Sequence, residues 1–240
     1  MTRFAEPLLL ATPCCQEKVM QRRFASINSF GISSRWSDGY TTVPLVSETS
    51  RLAYCPGCNK TYWLEDATKL GVVPPVDKKP TSSSGWLRRV FSKGCDNPEQ
   101  ESVAQVDWQG LFPPHYHKSP RPADLLLAVL REEWSNAERE IYLRTRLWWL
   151  GNHGQRGWRT VSPMNDAQAE ANMLRLLVLH QATPASDQDV EVIAELLRQM
   201  GRFDEAITAL KGCRHASATA VAIEDAIVSR KMQVFQVKTF

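Results

Sequence analysis

Three patterns of hydrophobic and polar positions follow one another along the chain and predict its organisation. Residues 1–73 carry short apolar runs separated by turn residues, which is typical of strands. Residues 74–106 are rich in Pro, Ser and charged residues, which predicts a flexible linker. From about residue 107 the apolar positions recur at helical spacing. We therefore predict an α+β protein, with a small β module at 1–73 followed by an all-α domain at 107–240.

Glycines and prolines divide the helical region into separate segments. The apolar spacing predicts helices from Pro122 to Trp134 and from Glu138 to Leu150, the second capped by Ser135 or Asn136. Further helices are expected at about 166–181, 188–200, 203–212 and 217–230. This pattern predicts a stack of helices.

The predicted linker contains a short apolar and basic island at residues 85–91, which includes Trp86, Arg88 and Arg89. Such a segment is suited to docking on an acidic partner, an anionic membrane or RNA. The alternative is a solvated linker with one transient helical turn. We include Arg88 and Arg89 among the candidate partner-binding residues.

Composition narrows the class of protein. The chain has 240 residues and a formal net charge of +3 at pH 7, which is too balanced to favour nucleic-acid binding. No apolar run approaches the roughly 20 residues that span a bilayer, and the run from Pro7 to Ala11 is too short for a signal-peptide core. We therefore expect a cytoplasmic protein. In that reducing compartment its six cysteines are expected to be metal ligands or buried thiols.

The cysteines predict a metal site within the β module. Cys55-Pro56-Gly57-Cys58 places two thiols on one turn between strand-like segments, and Cys14 and Cys15 follow another such segment. This arrangement resembles a zinc ribbon. The resemblance implies a structural Zn²⁺ held by Cys14, Cys15, Cys55 and Cys58, because Zn²⁺ takes four such ligands at about 2.0–2.3 Å.

The first cysteine pair departs from the ribbon pattern, since Thr12 stands where a cysteine three residues before Cys15 is usual. Two ligand sets are therefore open for the metal ion. Either Cys14 and Cys15 both bind it, or one of them binds it together with a His, Cys95 or water. Buried inert thiols are the alternative to a metal site. A redox role for Cys55 and Cys58 is disfavoured, because the residues after Cys58 predict a strand and not the helix that lowers a thiol pKa. A catalytic zinc is disfavoured because no nearby base is visible.

One helical pair resembles a tetratricopeptide repeat. Small Ala194 and Ala206, the turn residue Gly201 and the large Phe203 recur at that family's offsets within residues 187–218. A single repeat cannot bury its own apolar face, so neighbouring helices are expected to complete the stack. The resemblance implies a surface that binds a peptide or protein.

These observations predict a non-catalytic protein-binding or scaffold protein with a structural zinc site. Trp148, Trp149 and Arg144 are candidate partner-binding residues, because Trp and Arg are enriched at binding hot spots. Core packing of at least one of the two tryptophans is the favoured alternative. The main alternative is a nucleic-acid-binding zinc-ribbon protein, and a zinc-dependent hydrolase ranks third. The contact face of the nucleic-acid alternative would contain five basic and aromatic residues: Arg22, Arg23, Arg35, Trp36 and Trp63.

Overall fold

The structure is a computed structural model that describes residues 3–26, 34–42, 50–73, 115–182, 186–215 and 217–237. The chain divides into two compact units. One comprises Met1–Asn28 and Ser50–Ser119 and is called the cysteine unit below. The other comprises Ser29–Thr49 and Pro120–Phe240 and is called the helical unit. Small β-sheets and a set of helices make the protein α+β, as predicted.

The cysteine unit contains two antiparallel hairpins. The strands are β1 (Arg3–Ala11), β2 (Lys18–Ser26), β5 (Leu52–Tyr54), β6 (Thr61–Trp63), β7 (Thr68–Val72) and β8 (His115–Tyr116). In the larger sheet, β1 and β2 pair with each other and are flanked by β7 and β8, in the order β7-β1-β2-β8. Strands β5 and β6 form a separate hairpin.

Apolar side chains from both hairpins pack together in the cysteine unit. Leu8, Leu10 and Val19 of the larger sheet contact Ala53 and Tyr62 of the smaller hairpin, and all are buried. This core lies beside the turns that carry the cysteines. The packing therefore holds the two turns against each other.

The helical unit contains six helices and a three-stranded sheet within its described residues. The helices are α1 (Pro122–Leu130), α2 (Ala137–Asn152), α3 (Asp166–Ala182), α4 (Asp187–Gln199), α5 (Phe203–Leu210) and α6 (Ala218–Val228). The strands are β3 (Ser34–Trp36), β4 (Thr41–Thr42) and β9 (Gln236–Val237), in the order β4-β3-β9. The predicted helices are thus confirmed, although the first ends at Leu130 instead of Trp134.

Helices α4 and α5 pack closely because small residues lie where they meet. Ala194 and Ala206 are fully buried in the core of the helical unit. Gly201 turns the chain between the two helices with φ +75°, a conformation that L side chains rarely adopt. Phe203 then packs against the same core. The burial of the two alanines and the turn at Gly201 thus agree with the structure.

Residues 34–42 belong to the helical unit, although the sequence places them within the β module at 1–73. Asp38 explains this placement, since its buried carboxylate accepts hydrogen bonds from Asn152 at 2.8 Å and from Arg156. Its carbonyl accepts a hydrogen bond from the indole of Trp149 at 2.9 Å. These polar contacts, together with the pairing of β3 with β9, hold this segment in the helical unit.

Residues 115–119 also lie outside the unit expected for them. They belong to the cysteine unit, where β8 pairs with β2 in parallel and the amide of Tyr54 donates to the carbonyl of Lys118 at 3.0 Å. The predicted linker at 74–106, with its island at 85–91, lies outside the described residues. Of the helices that the structure describes, none has the length and apolar character needed to cross a membrane.

Candidate metal centre

Two turns bring four cysteine sulfurs together in the cysteine unit. Cys14 and Cys15 lie on the turn that joins β1 to β2, and Cys55 and Cys58 lie on the turn that joins β5 to β6. All four Sγ atoms lie within 4.8 Å of one another. The structure therefore brings together the four residues that the sequence predicts as ligands, including both members of the adjacent pair.

The distances between sulfurs fit a tetrahedral metal ion. The Sγ atom of Cys14 lies 3.3 Å from that of Cys58, and the Sγ atom of Cys15 lies 3.4 Å from that of Cys55. Cys14 and Cys15 are 4.0 Å apart. A tetrahedral ion with metal–sulfur bonds of about 2.3 Å separates its ligands by about 3.8 Å. A disulfide needs about 2.05 Å, so all four residues are free thiols in this structure.

The second turn is shaped by two backbone hydrogen bonds that start and end at Cys55. Its amide donates to the carbonyl of Lys60 at 2.9 Å, and its carbonyl accepts from the amide of Asn59 at 3.0 Å. Asn59 adopts a left-handed conformation with φ 61°, which asparagine tolerates better than most residues. This tight turn directs Cys55 and Cys58 to the same side.

Gly57 lets the two turns approach closely. A Cβ atom at this position would lie 3.3 Å from the Sγ of Cys15 and 3.2 Å from the Oε2 of Glu17. Contacts of that length are tighter than ordinary van der Waals packing, so a larger residue would push the turns apart. The glycine in the Cys-Pro-Gly-Cys motif therefore allows the two cysteine pairs to approach each other.

The pKa values of Cys14 and Cys55 are shifted in opposite directions. Burial, together with a hydrogen bond to Cys58, raises the pKa of Cys14 to about 12. Burial alone would also raise the pKa of Cys55, but hydrogen bonds from the Cys58 backbone and from the side chains of Thr12 and Cys15 lower it to about 6. These surroundings therefore favour the thiolate form at Cys55 and the protonated form at Cys14.

Tyr62 lies within range of the charge on this cluster. Burial and the negative charges of Cys55 and Cys14 raise the pKa of its phenol to about 12. The hydroxyl therefore stays protonated at neutral pH. In the described part of the chain it is buried without a hydrogen-bond partner.

No other candidate ligand among the described residues belongs to the cluster. Cys95 lies outside the described residues, and Cys213 lies in the helical unit near the carbonyl of Asp187. His117 is half-buried and its Nδ1 lies 3.2 Å from the carbonyl of Met20. Burial lowers the pKa of this imidazole. Among the residues that the structure describes, the metal-binding group thus consists of cysteines alone.

The candidate partner-binding residues of α2 make contacts inside the helical unit. Trp148 is 3% exposed and its indole donates to Gln199 at 2.9 Å. Trp149 donates to the carbonyl of Asp38, and Arg144 forms a hydrogen-bonded ion pair with Glu140 at 2.8 Å. Trp148 is part of the core of the helical unit, which is the alternative that the sequence favours for at least one of the two tryptophans. Arg88 and Arg89 lie outside the described residues.

The predicted nucleic-acid face does not form one surface within either unit. Arg22, Arg23 and Trp63 belong to the cysteine unit, whereas Arg35 and Trp36 belong to the helical unit. The sequence did not indicate the surface that Phe4 and Tyr116 form beside Arg22. Strand pairing brings these residues together, so no local pattern signals the surface.

Comparison of the chain with protein-family models, with curated proteins and with solved structures found no match. Four thiols at these distances can hold a metal ion, and the donor set fits an ion that prefers sulfur.

Proposed function

We propose that the protein is a non-catalytic binding protein whose cysteine unit is stabilised by a structural Zn²⁺ ion. Cys14, Cys15, Cys55 and Cys58 would hold the ion. The observation that carries this proposal is the meeting of four sulfurs, from two separate turns, within 4.8 Å of one another. When bound, the ion would neutralise thiolate charge and link the two hairpins.

The donor set supports a structural role for the ion. Zn²⁺ favours four-coordinate tetrahedral sites, and four thiolates occupy every position. A catalytic ion keeps one position for water and needs a base nearby. Since the cluster in the described residues contains cysteines alone, it supports a closed site. The hairpin turns that carry the cysteines also support the resemblance to a zinc ribbon.

The helical unit supports the binding part of the proposal. The close packing of α4 on α5, with Ala194, Ala206 and Gly201 at the positions described above, supports the resemblance to a tetratricopeptide repeat. Proteins of that kind offer a concave surface to a partner. The protein is therefore proposed to bind another protein or peptide through its helices.

A cavity in the helical unit provides a candidate binding surface. It has a volume of about 320 Å³, and its lining includes Met164, Met173 and Met232 together with Gln199 and Trp148. Methionine side chains are flexible and polarisable, which suits them to varied apolar side chains. Carboxamides beside them can hydrogen-bond a peptide backbone. An apolar peptide segment is the partner that this lining favours.

Metal analysis of the purified protein tests the zinc site. We expect one Zn²⁺ per chain in the wild type and a loss of that ion in the double variant Cys55→Ser/Cys58→Ser. Because the metal replaces hydrophobic core in a small unit, the variant should lose the fold of the cysteine unit while circular dichroism retains the helical signal. A matched control is Cys213→Ser, which removes a thiol outside the cluster and should keep the ion. A properly folded wild-type protein without metal would contradict the proposal.

Quantitative affinity capture tests the binding surface. Met173→Lys places a charge in the cavity, whereas Val161→Lys places the same charge at a site that is 83% exposed. A protein that binds in the cavity should be captured by Val161→Lys but not by Met173→Lys. Equal capture by both variants would exclude the cavity as the binding surface.

One surface of the cysteine unit favours a second candidate function, which is binding of single-stranded nucleic acid. Phe4 is 64% exposed, and its ring centroid lies 5.1 Å from that of Phe24. The guanidinium of Arg22 lies 4.6 Å from the ring centroid of Tyr116. A cavity of about 460 Å³ connects Phe4, Arg22, Arg23 and Tyr116. Aromatic rings can stack on bases, and arginines can contact the phosphates.

Net charge agrees with this second candidate. Among its described residues the cysteine unit has eight Lys and Arg residues against four Asp and Glu residues. The excess of positive charge favours a polyanion, and the affinity should then fall as salt rises.

Fluorescence anisotropy with a labelled oligouridine tests the second candidate. Loss of one stacking ring in Phe4→Ala should weaken binding by roughly tenfold, because base stacking contributes about 1–3 kcal/mol. Arg51→Gln changes a basic residue of the same unit outside this cavity and serves as the control. Absence of salt-dependent binding, or equal losses in the two variants, would exclude this function.

A further inference from the structure

The first cysteine turn repeats the backbone hydrogen bonds of the second. The amide of Thr12 donates to the carbonyl of Glu17 at 2.9 Å, and its carbonyl accepts from the amide of Gln16 at 3.0 Å. Cys55 makes the same two bonds at the same sequence spacing in its own turn. Gln16 also shares the left-handed conformation, with φ 60°. Thr12 therefore occupies, in the first turn, the position that Cys55 occupies in the second.

The ligand set of the first turn is consequently shifted along the chain. Cys15 corresponds to Cys58, since each follows the first position of its turn by three residues. Thr12 holds the position at which the other ligand of such a turn would stand. Cys14 supplies a sulfur from a different position of the turn, and this sulfur still lies 3.3 Å from that of Cys58.

The side chain of Thr12 lies among the sulfurs. The residue is fully buried, and its Oγ1 atom lies 3.6 Å from the Sγ of Cys15 and 3.6 Å from the Sγ of Cys55. These distances are close to the separation of about 3.8 Å between ligands of a tetrahedral ion with thiolate bonds. The same oxygen accepts a hydrogen bond from the amide of Glu17 at 3.0 Å, which fixes its position.

The hydroxyl has a defined role once the cysteines are deprotonated. A thiolate cannot donate a hydrogen bond, so the hydroxyl of Thr12 must be the donor in its contacts with the sulfurs. A hydrogen bond to a ligand atom withdraws negative charge from that ligand and fixes its orientation. Because the hydroxyl faces two sulfurs, it is placed to stabilise either one.

We propose that Thr12 occupies a ligand position of the metal centre as a hydrogen-bonding residue, and that Cys14 supplies the ligand in its place. Thr12 is thus a positioning residue for the sulfurs of Cys15 and Cys55. A cysteine at position 12 would then be able to replace Cys14. This inference rests on the proposed metal centre, and it assigns a function to the departure from the usual cysteine spacing.

Ligand exchange between positions 12 and 14 tests the proposal. Co²⁺ is the probe, because the intensity of its thiolate charge-transfer absorption reports the number of sulfur ligands. Wild-type protein should show four sulfurs and Cys14→Ser should show three, with weaker affinity. The double variant Thr12→Cys/Cys14→Ser should recover the four-sulfur spectrum and the affinity. The control Ser26→Cys/Cys14→Ser adds a thiol at the opposite end of β2 and should resemble Cys14→Ser.

The hydrogen bond is tested separately. Thr12→Val removes the hydroxyl with little change in shape, and Thr12→Ser keeps it. Loss of a hydrogen-bonding partner of a metal ligand typically weakens metal affinity by about 10–100-fold. We therefore expect Thr12→Val to lose affinity in that range, with a retained four-sulfur spectrum, and Thr12→Ser to approach the wild type.

The outcomes separate this inference from the proposed metal centre. If wild-type protein binds Co²⁺ through four sulfurs but Thr12→Cys/Cys14→Ser resembles the Ser26 control, position 12 is not a ligand position and the inference alone is wrong. If Thr12→Val and the wild type bind Co²⁺ with equal affinity, the hydroxyl of Thr12 has no hydrogen-bonding role at the metal centre. Wild-type protein that binds no Co²⁺ would overturn both the metal centre and the inference.

Discussion

Asp38→Asn is expected to destabilise the helical unit strongly. Both side chains of the Asp38–Arg156 pair are fully buried. The Oδ2 atom of Asp38 accepts from Arg156 and from Asn152, and its Oδ1 atom accepts from the amide of Tyr40 at 3.2 Å. An asparagine has one oxygen, so its NH₂ group must face either Arg156 or the amide of Tyr40. The substitution also leaves the charge of Arg156 without its counter-ion.

The expected magnitude follows from this environment. Removal of one partner from a buried ion pair typically costs about 3–5 kcal/mol, because the remaining charge stays desolvated. An exposed ion pair contributes at most about 1 kcal/mol. Glu205→Gln is therefore a matched control, since the Arg202–Glu205 pair lies in the same unit with side chains that are 38% and 59% exposed.

Urea unfolding followed by circular dichroism measures the difference, because the helical signal reports the helical unit. With a urea dependence of about 2 kcal/mol per molar, Asp38→Asn should lower the midpoint by about 1.5–2.5 M. Glu205→Gln should lower it by about 0.5 M or less. The double variant Asp38→Leu/Arg156→Met should be less destabilised than Asp38→Asn, because it leaves no buried charge. Equal midpoints for Asp38→Asn and Glu205→Gln would refute the reasoning.

Three further predictions follow from single residues. Burial and the charge of Arg156 lower the pKa of His153 to about 4. Between pH 6.5 and 4 the unfolded chain therefore binds a proton that the folded chain does not, so the stability of the protein decreases as the pH is lowered through this range. This fall should be smaller in His153→Gln, and equal pH profiles in thermal melting would contradict it. Gly57→Ala should weaken metal affinity in chelator competition by separating the turns, whereas Gly154→Ala, which meets open space, should not. Ala206→Leu should lower the stability of the helical unit by about 1–3 kcal/mol through overpacking, and an unchanged urea midpoint would show that α4 and α5 can move apart.

Local sequence patterns predict one part of the metal centre and not the other. The Cys-Pro-Gly-Cys turn and its flanking strands are encoded by neighbouring residues, so the sequence predicts the second cysteine pair and its geometry. It names Cys14 and Cys15 as candidate ligands but leaves open whether both join the cluster, which the structure shows that they do. It does not predict that Thr12 lies among the sulfurs, because that position depends on the hydrogen bonds of one turn and on its approach to another turn about 40 residues away in the chain.

The helices were determined by the sequence alone, whereas the surfaces were decided by tertiary structure. Helical periodicity is a local property, and it predicts α1 to α6 within a few residues. The same periodicity cannot tell a buried Trp148 from an exposed one, since burial depends on which helices meet. Asp38 contacts Arg156 across 118 positions, and this contact draws residues 34–42 into the helical unit. Phe4, Phe24 and Tyr116 likewise meet only through strand pairing, because three separate segments must fold before one surface exists.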